Sequence, residues 1–338
     1  MVEAVVLGAG VCGLAVAAEL AGRGVAVTVV DRAGGPGPHS CSWWAGGMLA
    51  PYCEGESAEP AVVRLGQEAA AWWQVHAGGV TRRGTLVVAP SRDRGELERF
   101  ARRTRGHERL EADGVAALEP DLAGRFTAGL HYPDEAHLSP RAALASLRDR
   151  LAAAGTRFEA RDFESRDFEA GEEAEGPLVF DCRGLAARDA APDLRGVKGE
   201  MLVLRCLDVA LIRPVRLLHP RIPLYVVPRG DGVYMLGATM IEATERGRIT
   251  ARALLEMLSA AYALHPAFAE AEVLEIGVDA RPAFPDNLPR IRARGRRILV
   301  NGLYRHGFLL APAVARMAVD WALNGVRPEV MDEDHAER

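Results

Sequence analysis

Along the first thirty residues the apolar positions change their period twice. Ala4-Val5-Val6-Leu7 is a continuous apolar run, the pattern of a strand buried on both faces of a parallel sheet. Gly8-Ala9-Gly10-Val11-Cys12-Gly13 follows, then the helix-like LAVAAELAGRG, then a second apolar run over residues 25–30 that ends at Asp31. That order predicts a strand, helix and strand with GxGxxG at the first turn. Further on, RGTLVVAP (83–90) predicts a strand, residues 92–105 a charge-rich surface helix, residues 130–139 an extended segment and residues 140–151 a helix. AEPAVVRLGQEAAAWWQVHA predicts one helix whose Trp72 and Trp73 belong to the core. Leu178-Val179-Phe180-Asp181 and Arg297-Ile298-Leu299-Val300-Asn301 read as buried strands. EMLVLR, PVRLLH, LYVVPR and VYMLGATM read as an antiparallel sheet, with Gly230-Asp231-Gly232 as a hairpin turn, and LEIGVDAR as a strand ending at Arg281. A loop over residues 302–310 then leads into APAVARMAVDWALNG, a helix with Pro312 near its first turn and Gly325 at its end.

A chain that leaves a nucleotide-binding unit, makes strands and returns predicts two interleaved domains. The boundaries expected are 1–80, 140–198 and 275–338 for one domain, and 81–139 and 199–274 for the other. RDFE occurs twice, at 161–164 and 166–169, which suggests a local duplication in a hairpin with a solvated acidic turn at 172–175.

Composition narrows the function. The chain has 338 residues, 49% hydrophobic and 26% charged, with a net charge of -5, as expected of a soluble globular protein of about two domains. Lys198 is the only lysine, so a GK[ST] phosphate loop is absent and a Schiff-base mechanism has one candidate. Cys12, Cys41, Cys53, Cys182 and Cys206 form no CxxC pair, which argues against a disulfide framework or zinc site and favours a reducing cytoplasm. The nine histidines lack ligand spacing and there is no basic stripe, so neither a metal nor a nucleic-acid partner is expected. The apolar N-terminus carries Glu3 where a secretory signal would be basic, and no segment approaches the ~20 uninterrupted apolar residues of a membrane span.

Each glycine of the first turn has a physical task. Gly8 permits the tight turn, Gly10 lets the backbone approach a pyrophosphate, and Gly13 lets the helix pack on the strand, while Asp31 offers a carboxylate to a ribose. The motif does not separate FAD from NAD. CSWWAGGMLAPY, without charge until Glu54, comes where a nicotinamide dehydrogenase would usually continue its winding. Gly46-Gly47 would each cost about 1 kcal/mol inside a helix, so this is a loop. Its small and apolar residues suit a backbone running along a pyrophosphate and under a flavin ring; composition alone fits a buried interdomain loop equally well.

GAGVCG, SWWAGGMLAPYCE, VKGEMLVL, LYVVPRGDGVYMLGATM, DARPAFPDNLPRI and NGLYRHGFLLAP occur in an order that resembles the glycine oxidases of thiamine (thiazole) biosynthesis, within the D-amino-acid oxidase family of flavoproteins. The resemblance covers essentially the whole chain. It implies an α/β fold: a Rossmann-type FAD-binding domain with a parallel sheet, interleaved with a smaller α+β substrate domain built on an antiparallel sheet. Sarcosine oxidases of the family hold flavin through a cysteine near this point, whereas Pro282-Ala283-Phe284 has none, so noncovalent FAD is expected.

By the same resemblance FAD would meet Gly8, Gly10, Val11, Cys12 and Gly13 at the first turn, and Asp31 and Arg32 after the second strand. Ser42, Trp43, Ala45, Gly46, Gly47 and Met48 would follow along the loop, with Phe163 and Gly184 at the adenosine end. Gly302, Arg305, His306, Gly307, Phe308 and Leu309 would line the flavin edge, where a helix N-terminus favours the charge of reduced flavin. Arg281 matches the carboxylate-binding arginine and Tyr225 the tyrosine beside it, with Arg305 as a second arginine. A guanidinium fork suits a carboxylate because it gives two parallel charge-assisted hydrogen bonds. Met48, Met240 and His306 would wall the pocket. His306 departs from the amide usual at this position, and no base role is assigned to it.

The activity implied is FAD-dependent oxidative deamination of glycine or another small amino acid by O2, giving imine, oxo acid, ammonia and hydrogen peroxide. The alternative is a D-amino-acid or secondary-amine (sarcosine-like) oxidase or dehydrogenase of the same fold. A flavin-free nicotinamide-binding protein is the rival from another class. Partners expected are the small amino acid and O2, without membrane or nucleic acid; a homo-oligomer is left open.

Overall fold

The computed structural model describes residues 2–164, 176–219 and 223–332. Two large sheets organise it. The first has six strands in the order Arg290–Arg294, Arg297–Asn301, Leu178–Asp181, Glu3–Leu7, Ala26–Asp31 and Arg157–Ala160, all parallel except Arg290–Arg294 at one edge. The opening apolar run is continuous because both faces of its strand are covered. Val6 belongs to the main core under the helices, and Leu7 packs with Val30 and Val179 on the other side. The Val11–Gly22 helix lies on this sheet between the Pro140–Ala153 and Gly307–Asn324 helices. A Cβ on Gly13 would strike the Gly8 carbonyl oxygen, so the glycine is required for helix and strand to meet this closely.

The second sheet has nine strands. From one edge they run Ile241–Glu242, Arg195–Arg205, Val233–Gly237, Leu224–Gly230, Val215–Leu217, Thr85–Val88, Ala128–Tyr132 and Glu108–Glu111, and the long Glu272–Ala283 strand also pairs with Arg195–Arg205. One face, carrying Leu86, Leu202, Leu204, Val226 and Leu236, packs on Met257, Ala261 and Leu264 of the Ala251–Leu264 helix. The alternation of strand side chains puts the intervening residues on the opposite face. There Arg216 is in register with Tyr225, Tyr225 with Gly237, and Gly237 with Met201. The chain enters the second sheet twice: between Ala26–Asp31 and Arg157–Ala160 it makes Thr85–Val88, Glu108–Glu111 and Ala128–Tyr132, and between Leu178–Asp181 and Arg290–Arg294 it makes the rest.

Several elements differ from the sequence expectation. The single helix expected around Trp72 is two, Pro60–Gly66 and Ala69–His76. The break follows Gly66, where a Cβ would stand 2.7 Å from Leu309 Cγ. The last helix starts at Gly307, so Phe308, Leu309 and Leu310 are helical and Pro312 lies in the second turn. Proline cannot donate to the carbonyl four residues back. That carbonyl, on Phe308, instead accepts a hydrogen bond from Trp73 Nε1 at 2.8 Å, and Trp73 is fully buried. The Ala251–Leu264 helix, capped by Thr250 Oγ1 accepting from Ala253 N at 3.1 Å, was not anticipated. The strand carrying Arg281 runs on to Ala283. Of the RDFE pair, the first copy follows the Arg157–Ala160 strand; the second copy and the acidic turn lie outside the described residues.

Candidate active site

A cavity of about 600 Å³ opens between the glycine-rich first turn and the face of the nine-stranded sheet that bears Tyr225. At its first end Gly8 has φ +97°, and a Cβ there would stand 2.8 Å from the Cys182 carbonyl oxygen. Gly10 caps the Val11–Gly22 helix; its missing Cβ leaves a space bounded by Ser40 Oγ and Ser42 Oγ, each 3.3 Å away. Val11 N donates to Ser42 Oγ at 3.0 Å, and the helix N-terminus faces the cavity. Asp31 is buried on the cavity wall: Oδ2 accepts from Ala9 N at 3.0 Å, while Oδ1 accepts from Ala33 N at 2.9 Å and lies 3.0 Å from His39 Nε2. Beyond it Phe163 stacks under the Arg183 guanidinium at 5.5 Å, next to Gly184.

The loop between the two ends explains its own glycines. A Cβ on Gly46 would stand 2.9 Å from Tyr225 Cε2, and Gly47, at φ +70°, lies against the Leu138 carbonyl. Arg229 fixes this backbone by donating to Gly46 O at 2.7 Å and Leu138 O at 3.1 Å. Burial pushes the Arg229 guanidinium down to about 10, so it remains a cation at neutral pH. The close neighbours that demand glycine are thus protein atoms, while the same loop presents Ala45, Gly46, Gly47 and Met48 to the cavity.

At the far end the nine-stranded sheet supplies Arg281 and Tyr225. The Arg281 guanidinium lies across Gly199, where a Cβ would overlap it, and donates to Thr239 O at 3.3 Å. Among the described residues it has no carboxylate partner within ion-pair distance. The Tyr225 hydroxyl lies over Gly237, and burial raises its pKa. Arg305 is arranged differently. Its Nη2 donates to Glu54 Oε2 and Ser57 Oγ, both at 2.8 Å, its Nε to His306 Nε2 at 3.2 Å, and its Nη1 meets only the Met240 sulfur, at 3.6 Å.

Glu54 gathers this cluster. Its Oε1 accepts from Arg216 Nη2 at 2.6 Å, and Oε2 lies 3.0 Å from His306 Nε2 besides its bond to Arg305. Burial would raise its pKa, but Arg305 and Arg216 together hold the carboxyl well below the usual carboxylate range. Burial lowers the His306 pKa against the pull of Glu54.

The sequence matches the model of the family of FAD dependent oxidoreductases, DAO, over residues 3–321. The chain belongs to this family. A Rhizobium etli chain provisionally named thiamine biosynthesis oxidoreductase ThiO is 55% identical over 91% of this FAD-dependent oxidoreductase and 92% of its own length. Glycine oxidase of Pseudomonas aeruginosa is 25% identical over 94% and 93% of the two chains. In fold, the crystal structure of glycine oxidase from Bacillus cereus superposes with a TM-score of 0.78 at 22% identity, covering 95% of each chain.

The cavity residues fit FAD. The space over Gly10 that a Cβ would enter, the open helix N-terminus and the Asp31 carboxylate suit the pyrophosphate and ribose, with Val11, Cys12 and Arg32 beside them. Phe163 and Gly184 would take the adenosine end; Gly307, Phe308 and Leu309 begin the second helix that faces the cavity. Three expected contacts lie outside the lining. Gly13 serves helix packing, Gly302, at φ +78°, lies against Phe284, and Trp43 packs under the Arg141 guanidinium at 4.9 Å. Trp44 takes the wall position expected of Trp43. Sequence reasoning missed Glu54, Arg216 and Arg229. The signal for Arg216 was a single charge between Val215 and Leu217, in a run otherwise apolar.

Proposed function

We propose that this FAD-dependent oxidoreductase oxidises glycine or another small amino acid with O2 and water to the oxo acid, ammonia and hydrogen peroxide, serving thiamine thiazole biosynthesis in a reducing cytoplasm. The observation that carries the reading is Arg281: a guanidinium facing the cavity beside Tyr225, with no carboxylate partner among the described residues. Such a fork and hydroxyl hold an α-carboxylate and stop the substrate rotating. Bound FAD supplies a two-electron acceptor and passes the pair to O2. The amine must react unprotonated. Arg281, Arg216 and Arg305 outnumber Glu54 here, and this excess of positive charge favours losing the ammonium proton. Met48 and Met240 supply apolar walls. On this reading, residues 1–80, 140–198 and 275–338 serve the cofactor, residues 81–139 and 199–274 serve the substrate, and the FAD is noncovalent.

The test is peroxide release from the purified yellow protein with glycine, sarcosine, D-alanine and D-proline. Glycine is expected to give the highest kcat/KM. Peroxide from sarcosine or D-proline at higher kcat/KM would replace glycine by the secondary-amine alternative, and no peroxide from any amino acid by FAD-loaded protein would overturn the proposal.

A further inference from the structure

Among the described residues, the cavity wall holds a carboxylate that a substrate carboxylate must compete with. Glu54 is buried, ionised and within reach of Arg305. Two carboxylate oxygens and two guanidinium nitrogens naturally close into a bidentate pair. Here that pair is not closed. Arg216 Nη2 occupies Oε1 at 2.6 Å, so Glu54 meets Arg305 through Oε2 and Nη2 alone. Arg305 Nη1 is left turned to the Met240 sulfur, a weak acceptor on the cavity wall. Arg216 itself is fixed from both sides, since its strand pairs with Val87 on one flank and Tyr225 on the other.

We propose that Arg216 is a positioning residue for amino-acid binding: by capping Glu54 Oε1 it prevents a bidentate Glu54–Arg305 pair and keeps Arg305 Nη1 available to a substrate carboxylate. This rests on the amino-acid oxidase reading above. Arg216 therefore acts through Glu54 and Arg305. Its chemistry is that of a spacer cation, distinct from a clamp such as Arg281.

The experiment measures acetate binding by perturbation of the flavin absorbance, together with steady-state glycine oxidation, in FAD-loaded wild type, Arg216→Met, Arg216→Lys and the double variant Arg216→Met/Glu54→Gln. Loss of one charge-assisted hydrogen bond predicts that Arg216→Met weakens acetate and raises the glycine KM by about 10- to 100-fold, with a smaller change in kcat. Arg216→Lys still caps Oε1 and should recover most of the affinity. The double variant removes the competing carboxylate and should return to within about threefold of the wild type, a rescue that independent structural damage would not give. Wild-type affinity in Arg216→Met, or a double variant as weak as the single, overturns the proposal. If Arg216→Met does not retain FAD, the double variant, which leaves neither charge of that pair behind, decides the matter by the same threefold criterion. A wild type that binds no acetate and releases no peroxide from glycine, sarcosine, D-alanine or D-proline overturns the oxidase reading and this inference with it.

Discussion

Replacing Gly199 with alanine adds one methyl group at the point where the Arg281 guanidinium crosses the sheet. In the strand pairing Gly199 lies opposite Asp279, two residues before Arg281. The added Cβ would overlap the guanidinium. The atoms met are the end of a flexible side chain, so the fold can absorb the methyl by swinging Arg281 away from Thr239 O. Strand stability should change little, since exchanging glycine for alanine in a regular element is worth about 0.5–1 kcal/mol in the stabilising direction. Binding should suffer instead. A charge-assisted hydrogen bond contributes about 1.5–3 kcal/mol net, so losing one raises the glycine KM by about 10- to 100-fold, and losing both bonds of the fork raises it further. The assay is peroxide release against glycine concentration, run beside Arg281→Ala, with FAD content and the denaturant midpoint of each variant. Gly199→Ala should resemble Arg281→Ala in KM and the wild type in FAD content. A simple amine without a carboxylate is the control, because only carboxylate substrates should feel the change. A wild-type KM in Gly199→Ala, or equal losses on glycine and the simple amine, would refute the assignment of Arg281 as the carboxylate clamp.

Gly10→Val should yield protein that folds but purifies with little FAD, because its branches enter the space over the helix N-terminus; normal flavin content would remove the first turn from the cofactor site. Trp73→Phe deprives the Phe308 carbonyl of its donor opposite Pro312, and the buried unpaired oxygen should cost about 1–3 kcal/mol in denaturant unfolding. His137 is buried, and burial together with Arg229 lowers its pKa to about 4. Between that value and the unfolded value near 6.5 the unfolded chain binds a proton that the folded chain refuses. Stability should therefore fall as pH drops through this window, by up to about 3 kcal/mol, with no penalty at pH 7. His137→Leu should flatten that slope in unfolding curves taken from pH 7 to pH 4.5.

What was legible in the sequence is what short-range physics determines. The first strand, helix and strand, the two short buried strands and the Gly230-Asp231-Gly232 turn follow from period and backbone conformation within a few residues, and all appear at the expected places. The last helix begins earlier than Pro312, taken as a first-turn residue, indicates. The indole that makes an earlier start tolerable comes from Trp73, 235 residues away along the chain. The loop at Gly46-Gly47 shows the same limit from the other side. Its composition indicated a close neighbour, but the neighbours that forbid a Cβ are Tyr225 and the Leu138 backbone, which only the assembled sheets bring there.

Arg216 and Glu54 mark where local reasoning ends. Strand alternation places Arg216 opposite Val215 and Leu217 in facing, yet which face is the cavity depends on the register with Tyr225 and Val87. Burying a lone guanidinium among apolar neighbours is costly without a partner. An arginine buried in an apolar strand needs an acid beside it, and only the assembled fold shows that acid to be Glu54, the first charge after a long apolar loop. Their pairing at 2.6 Å joins that loop to the sheet, and its second oxygen ties both to the Tyr304–His306 turn. Three segments that the sequence could place only separately are therefore held in one geometry by a single carboxylate. Removing the Glu54 carboxylate while Arg216 keeps its charge should accordingly disturb Arg305 and the loop together, whereas substitutions at Gly199 should reach Arg281 alone.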